Sequence, residues 1–293
     1  MNIAIDNVTK VYKGGITGID KLSLGIGSGV FGLVGRNGAG KTTLMRMLAT
    51  LLEPTTGNIR IGDWSVTKDG KQIRKELGYL PQDSGIYPNL TAEEFLDYMA
   101  QLKGIKVAKE RTLQVNRVVE QVGLQAVSKR KMSGYSGGMK RRVGIAQALL
   151  GNPGLLIVDE PTAGLDPEER VRFKSVLSQI GNERTVILST HIVGDIEQIC
   201  RKLAILHEGK LVYQGGISDL IGHVQGRVRT VTVPESEADH YRNQYYTIST
   251  AYTEKGVEIR FITNRQSPVV GESVHATLED AYLFMINEGW ADE

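Results

Sequence analysis

The octapeptide Gly35-Arg36-Asn37-Gly38-Ala39-Gly40-Lys41-Thr42 constrains this chain more than any other stretch. It fits the pattern G-x-x-x-x-G-K-[ST] in full, and its setting matters as much as its letters. Before it runs the apolar Val30-Phe31-Gly32-Leu33-Val34, read as a strand. After it runs Thr43-Leu44-Met45-Arg46-Met47-Leu48, read as a helix. The glycines let backbone N–H groups wrap a phosphate chain, and the helix start adds partial positive charge. Lys41 is placed to reach the terminal phosphates, and the Thr42 hydroxyl is placed to coordinate Mg²⁺. A strand–loop–helix unit of this kind implies an α/β fold with a largely parallel sheet.

The rest of the chain is read around that unit. The helix after the loop is expected to run on to Glu53-Pro54, where proline stops it. Ile3 to Ile5 and Asn58 to Trp64 read as strands. From Leu90 to about Leu150 the texture turns helical. Thr91 with Glu94 three residues on is a capping-box signature, followed by Phe95, Tyr98, Met99 and Leu102 at helical spacing. A second helix is expected over Arg111 to Val122, closed by Gly123. After Pro153 strands and helices alternate again: Leu155 to Asp159 reads as a buried strand and Pro167 to Ile180 as a helix. Thr185 to Thr190 reads as a strand, Val193 to Cys200 as a helix, and the two runs from Leu203 to Gly209 and Lys210 to Gly216 as a hairpin. Past Gly222 come short alternating strands and an amphipathic helix over Thr277 to Gly289. That helix carries Leu278, Ala281, Tyr282, Met285 and Ile286 on one face. The expected division is an α/β domain over residues 1–218 with a helical insertion at about 88–150. A small α+β appendage over 219–293 completes the chain.

Two further stretches carry chemistry. Asp159 ends an apolar strand and Glu160 follows it, so one carboxylate can serve Mg²⁺ and the next can accept a proton from an attacking water. Tyr135-Ser136-Gly137-Gly138 precedes a helix-like run, and small residues at a helix start form a second anion site. Tyr12, Gln82 and His191, taken singly, read as ordinary packing, polar surface and a structural histidine.

Together these segments resemble the ABC ATPase family, the nucleotide-binding subunits of ABC transporters. Tyr12, the GRNGAGKTT loop, Tyr79-Leu80-Pro81-Gln82, Tyr135 to Arg142, Leu155 to Asp166 and Ser189-Thr190-His191 occur in that family's order over residues 1–218. The resemblance implies a P-loop NTPase fold with an N-terminal antiparallel β part, and ATP with Mg²⁺ as ligands. It implies that Tyr12 stacks on adenine and that Gly35, Asn37, Gly38, Ala39, Gly40, Lys41, Thr42 and Thr43 hold the phosphates. Thr42, Gln82 and Asp159 then serve the metal, with Gln82 also sensing the membrane partner. Glu160 is the base for water and His191 contacts the γ-phosphate. Ser136, Gly137 and Gly138 hold the γ-phosphate of a nucleotide bound by a second subunit, and Asp166 lies in the loop that crosses to it. The implied partners are thus a second ATPase subunit, giving a homodimer, and a separate transmembrane permease. The family's usual signature begins with Leu and ends with Gln, where this chain has Tyr135 and Met139. The Met-Lys-Arg-Arg ending, the stretch Tyr87 to Phe95 and the C-terminal appendage are similar to a bacterial branch that exports antibiotics, ions or envelope compounds.

Composition narrows the alternatives. A net charge of +2 over 293 residues offers no general attraction to nucleic acid. The clusters Lys129-Arg130-Lys131 and Lys140-Arg141-Arg142 read as solvated helical faces, since no aromatic stacking set accompanies them. The single cysteine, Cys200, forbids an internal disulfide and fits a reducing compartment. No signal-peptide pattern opens the sequence, and no long apolar run could span a bilayer. A cytoplasmic protein held at the membrane by its permease is the expectation. The rivals are a soluble ABC-type ATPase acting on nucleic acid or ribosomes, and a nucleotide-gated regulatory module. The first usually carries coiled coils, zinc motifs or tandem cassettes, none of which is visible. The Asp159-Glu160 pair argues against the second.

Overall fold

The computed structural model describes residues 1–82, 85–263 and 270–287. They form two compact units, Met1–Gln214 and Gly215–Glu293.

The first unit opens with strands β1 (Ile3–Val11), β2 (Thr17–Ile26) and β3 (Gly29–Val34), then helix α1 (Lys41–Leu48) and strands β4 (Thr56–Ile61) and β5 (Trp64–Ser65). β1 lies between β2 and β4, antiparallel to both, in a sheet ordered β2-β1-β4-β5. Ile3 and Ile5 alternate with exposed neighbours and turn inward with Leu24 and Ile59. β1 runs well beyond the expected Ile5, because register shifts at Val8 and Lys10 break the alternation that would have marked its second half. α1 ends earlier than expected. Thr50 adopts φ 59, so the helix stops at Leu48 before the proline can act.

Next come α2 (Gly70–Glu76), β6 (Leu77–Leu80), α3 (Ala92–Leu102), α4 (Ala108–Gln121) and α5 (Gly137–Leu149). The capping box at Thr91 is formed: its hydroxyl accepts from Glu94 N at 3.1 Å and Glu94 returns to Thr91 N at 2.8 Å. The buried face of α3 is Ala92, Phe95, Leu96 and Ala100, while Tyr98 and Leu102 point outward. Small Ala92 and Ala100, at four-residue spacing from Leu96, let the helix seat closely on α4 and α5. Gly123 takes φ 65 just past α4 and closes it.

The unit ends with β7 (Leu155–Asp159), α6 (Pro167–Gly181), β8 (Thr185–Thr190), α7 (Val193–Glu197), β9 (Lys202–His207) and β10 (Lys210–Gly216). The central sheet runs β10-β9-β3-β8-β7-β6, and its β9-β3-β8-β7-β6 pairings are parallel. Every residue of β7 and β8 is buried, as expected for strands covered on both faces. The register sets Val34 beside Thr190 and Asp159 beside Ser189. The loops after β3, β7 and β8 therefore leave the sheet along one edge, the carboxyl end where parallel sheets bind ligands.

The second unit contains α8 (Ile217–Gly222), β11 (Val228–Val233), α9 (Glu235–Gln244), β12 (Tyr246–Thr253), β13 (Gly256–Ile262), β14 (Glu272–Ser273) and α10 (Leu278–Asn287). Its antiparallel sheet is ordered β12-β13-β11-β14. Tyr245 packs on Phe261 with ring centroids 4.6 Å apart, in a core with Val233, Val257 and Ile259. α10 buries Leu278, Ala281, Tyr282, Met285 and Ile286, the face expected from the sequence. Glu288 and Gly289, the end of that stretch, lie outside the described residues.

Candidate functional site

The loop from Gly35 to Gly40 joins β3 to α1 over the carboxyl edge of the sheet. Gly38 and Gly40 take φ 84 and 102, which side-chain-bearing residues resist. A Cβ on Gly40 would lie 2.6 Å from Gly18 O, so the loop also needs glycine there for space. The turn leaves the first N–H groups of α1 without helical partners, facing a cleft of about 420 Å³. That cleft is lined by Tyr12, Asn37 to Thr43, Gln82 and Glu160 among others. Lys41 is buried, and its Nζ donates to Gly35 O at 2.7 Å and Arg36 O at 3.2 Å. At the rim the Tyr12 hydroxyl meets Thr43 Oγ1 at 3.0 Å. The Tyr12 ring rests on Gly18, where a Cβ would stand 2.8 Å from the ring.

Glu160 is where the remote segments meet. Its Oε1 lies 3.2 Å from Lys41 Nζ, and its Oε2 lies 2.6 Å from His191 Nδ1. The residue holds φ 46, and its N–H is tied to Ser189 Oγ at 3.0 Å and to Ser189 O at 3.2 Å. The Ser189 hydroxyl also donates to Asp159 Oδ1. That contact orients Asp159, which is 1% exposed. Tyr79 stands near Asp159. Burial, and then the Asp159 charge, push its hydroxyl pKa above the usual value, against a smaller pull from Arg46.

The residues present suit a magnesium–triphosphate. A hard divalent ion takes oxygen donors, and the exposed Thr42 hydroxyl and the Asp159 carboxylate supply them. The freed N–H groups of α1 and the Lys41 ammonium suit the anionic phosphates.

Ser136, Gly137, Gly138 and Asp166 are placed differently: none lines that cleft. Ser136 caps α5, accepting from Met139 N at 3.1 Å, and it is exposed together with Gly137. Gly138 is buried against Glu169 of α6, where a Cβ would stand 2.4 Å from the carboxylate. Tyr135, at the position usually Leu, is buried and donates to Val127 O at 2.6 Å. Asp166 caps α6, accepting from Glu169 N at 2.9 Å.

The basic run after the glycines departs from the solvated face expected of it. Arg141 and Arg142 are 8% and 9% exposed. Arg142 pairs with Glu169 at 3.2 Å, and Arg141 binds backbone carbonyls around Gln82 and Glu160. Charge-run reasoning fails because α5 is buried along most of its length, and buried guanidinium groups seek acceptors. Lys129, Arg130 and Lys131 are exposed as expected, but in the turn after α4 rather than on a helix.

The family model of the ABC transporter matches residues 19–163. The bacitracin transport ATP-binding protein BcrA of Bacillus licheniformis is 41% identical over 213 residues, covering 72% of this chain and 68% of that protein. This chain belongs to the ABC transporter ATP-binding family. The linearmycin resistance ATP-binding protein LnrL of Bacillus subtilis is 36% identical over 225 residues, covering 75% of this chain and 71% of LnrL. A dimeric post-hydrolysis structure of the ATP-binding cassette MJ0796, bound to ADP and Pi, has 25% identity and a TM-score of 0.66. It covers 73% of this ABC ATPase, which in turn covers 98% of it. The cbiO1 structure from Clostridium perfringens, 24% identical with a TM-score of 0.69, shares the fold. The chain is thus a P-loop NTPase that binds and hydrolyses ATP as the ATPase subunit of a transporter. ABC cassettes work as dimers with a transmembrane permease. Among the described residues of this one, no helix is long and apolar enough to cross a membrane.

Sequence reasoning missed Ser189, Tyr79 and Arg141 as members of the site. Ser189 stood inside the motif with His191, and strand register alone would have placed it beside Asp159. Arg141 had no legible signal, since its partners are backbone carbonyls.

Proposed function

We propose that this ABC ATPase binds ATP with Mg²⁺ in the cleft over β3 and α1, and that two copies close head to tail around two nucleotides. In this reading Tyr12 stacks on the adenine. The loop from Gly35 to Thr43, with Asn37, Gly38, Ala39 and Gly40, wraps the phosphates, and Lys41 balances their charge. Thr42, Gln82 and Asp159 hold the metal, which when bound draws charge from the phosphate oxygens. Glu160 orients the attacking water and takes its proton, while His191 contacts the γ-phosphate. Ser136, Gly137 and Gly138 of one copy bind the γ-phosphate held by the other, and Asp166 lies at the crossing between them. Binding closes the pair, and hydrolysis with phosphate release opens it. That cycle moves a separate permease, which keeps the protein at the inner face of the membrane.

One observation carries the reading. A single carboxylate, Glu160, touches both the phosphate-loop lysine and the histidine after β8, from segments far apart in the chain. The exposed position of Ser136 and Gly137, outside the cleft, supports a role toward a second chain. The names of BcrA and LnrL favour export of an antibiotic-like compound. Phosphate release by the purified protein tests the site, with Glu160→Gln expected to bind ATP and hardly turn it over. Identification of a co-purifying membrane protein tests the permease, and recovery with nucleic acid instead would overturn it.

A further inference from the structure

Arg141 lies on the first turns of α5, the helix that Ser136 caps, and its guanidinium is buried among backbone carbonyls of two other segments. Nη1 donates to Pro81 O at 2.9 Å and Gln82 O at 2.7 Å, in the loop after β6. Nη2 donates to Asp159 O at 2.6 Å and Glu160 O at 3.0 Å, and Nε donates to Pro161 O at 3.2 Å. The planar fork of arginine suits this task, because its donors point in fixed directions and reach acceptors on separate segments at once. The acceptors include the backbone of Gln82, Asp159 and Glu160.

Glu160 needs such support. Its left-handed conformation, φ 46, is disfavoured for a residue with a side chain, and it persists only where neighbours over-determine it. Ser189 holds the N–H of Glu160 from β8, and Arg141 holds its carbonyl from α5. The peptide groups on either side of the Glu160 Cα are thus both fastened, and the carboxylate is aimed at Lys41 and His191 as a result. We infer that Arg141 is a positioning residue for hydrolysis. It sets the backbone of Gln82 and of Asp159-Glu160 from the helix that presents Ser136, so the helix start facing the second chain and the carboxylate facing the water are held by one guanidinium. This rests on the role of Glu160 proposed above.

The test uses the purified full-length chain and its Arg141→Lys, Arg141→Gln, Glu160→Gln and Arg141→Lys/Glu160→Gln variants. Turnover is read by phosphate release under saturating and single-turnover conditions. Nucleotide affinity is read separately with a fluorescent ATP analogue in the absence of Mg²⁺. Misplacement of a reacting group by about 1 Å costs on the order of 100-fold, so Arg141→Gln is expected to lose about that much kcat. Analogue affinity should stay within about threefold, because the phosphate loop is untouched. Arg141→Lys, which keeps the charge and loses the fork, should fold as wild type and regain part of the rate. In the Glu160→Gln background Arg141→Lys should cost little more, because both changes act through the same carboxylate. Turnover per folded Arg141→Lys and Arg141→Gln molecule at the wild-type rate, or a full additive loss on top of Glu160→Gln, would overturn the inference while leaving the ATPase site as proposed. Wild-type turnover in Glu160→Gln itself would overturn both.

Discussion

Glu160 and Cys200 are each unusual as single residues, and each yields a prediction. Glu160 is nearly buried and backbone-strained, yet it touches two polar side chains, which is the condition of a group held ready for chemistry. General base catalysis contributes roughly 100- to 10,000-fold, so Glu160→Gln should lose turnover in that range while binding nucleotide. Phosphate release and analogue binding on the same sample check it. Cys200 is buried and its thiol is pushed up to about 12 by desolvation. It should resist thiol reagents at pH 8 in the folded protein and react promptly once denatured, as a disulfide-exchange dye would record. Single residues are also where the sequence was least legible. Asp159, Glu160 and Lys41 declare themselves because their chemistry is tied to a strand end or a glycine loop. Arg141 stays hidden because it answers to carbonyls from distant segments, and carbonyls leave no trace in a sequence.

The local signals of α3 and α10 were strong, and those elements form where expected. Thr91 shows why: its cap bonds close within one turn and depend on nothing remote. Thr91→Ala should cost about 1 kcal/mol, read as a lower denaturation midpoint with unchanged slope. The end of α1 and the length of β1 differ from the local signals, because a left-handed Thr50 and shifts of strand register are tertiary outcomes. In the second unit, α10 is anchored by Asp280, whose carboxylate meets Arg260 Nη2 at 2.5 Å and Thr277 N at 2.7 Å. Burial alone would raise its pKa, but Arg260 and Thr277 together hold it below the usual 3.8. A depressed carboxylate stabilises the fold above its unfolded pKa and loses that contribution as pH falls through the folded one. The acid limb of unfolding below pH 3.8 should therefore be less steep in Asp280→Asn. Removing one partner of this pair should also cost about 3 kcal/mol at neutral pH, measured by chemical denaturation.

The whole molecule is a transporter's ATPase whose phosphate loop and serine–glycine helix start do not share a cleft. The parallel sheet brings Lys41, Asp159, Glu160 and His191 to one edge through its register. α5 leaves Ser136 and Gly137 exposed elsewhere. In the proposed reading each chain then carries half of two sites, and neither half suffices. Mixing two inactive variants tests this claim most directly. Lys41→Ala lacks the phosphate lysine, and Ser136→Arg lacks the contact given to the other chain. Each alone should hydrolyse almost no ATP. Combined in equal amounts and allowed to exchange, they should regain activity, because a mixed pair contains one site with an intact Lys41 and an intact Ser136. A mixture as inactive as its parents, or a Ser136→Arg chain that turns over ATP at the wild-type rate, would contradict the shared site.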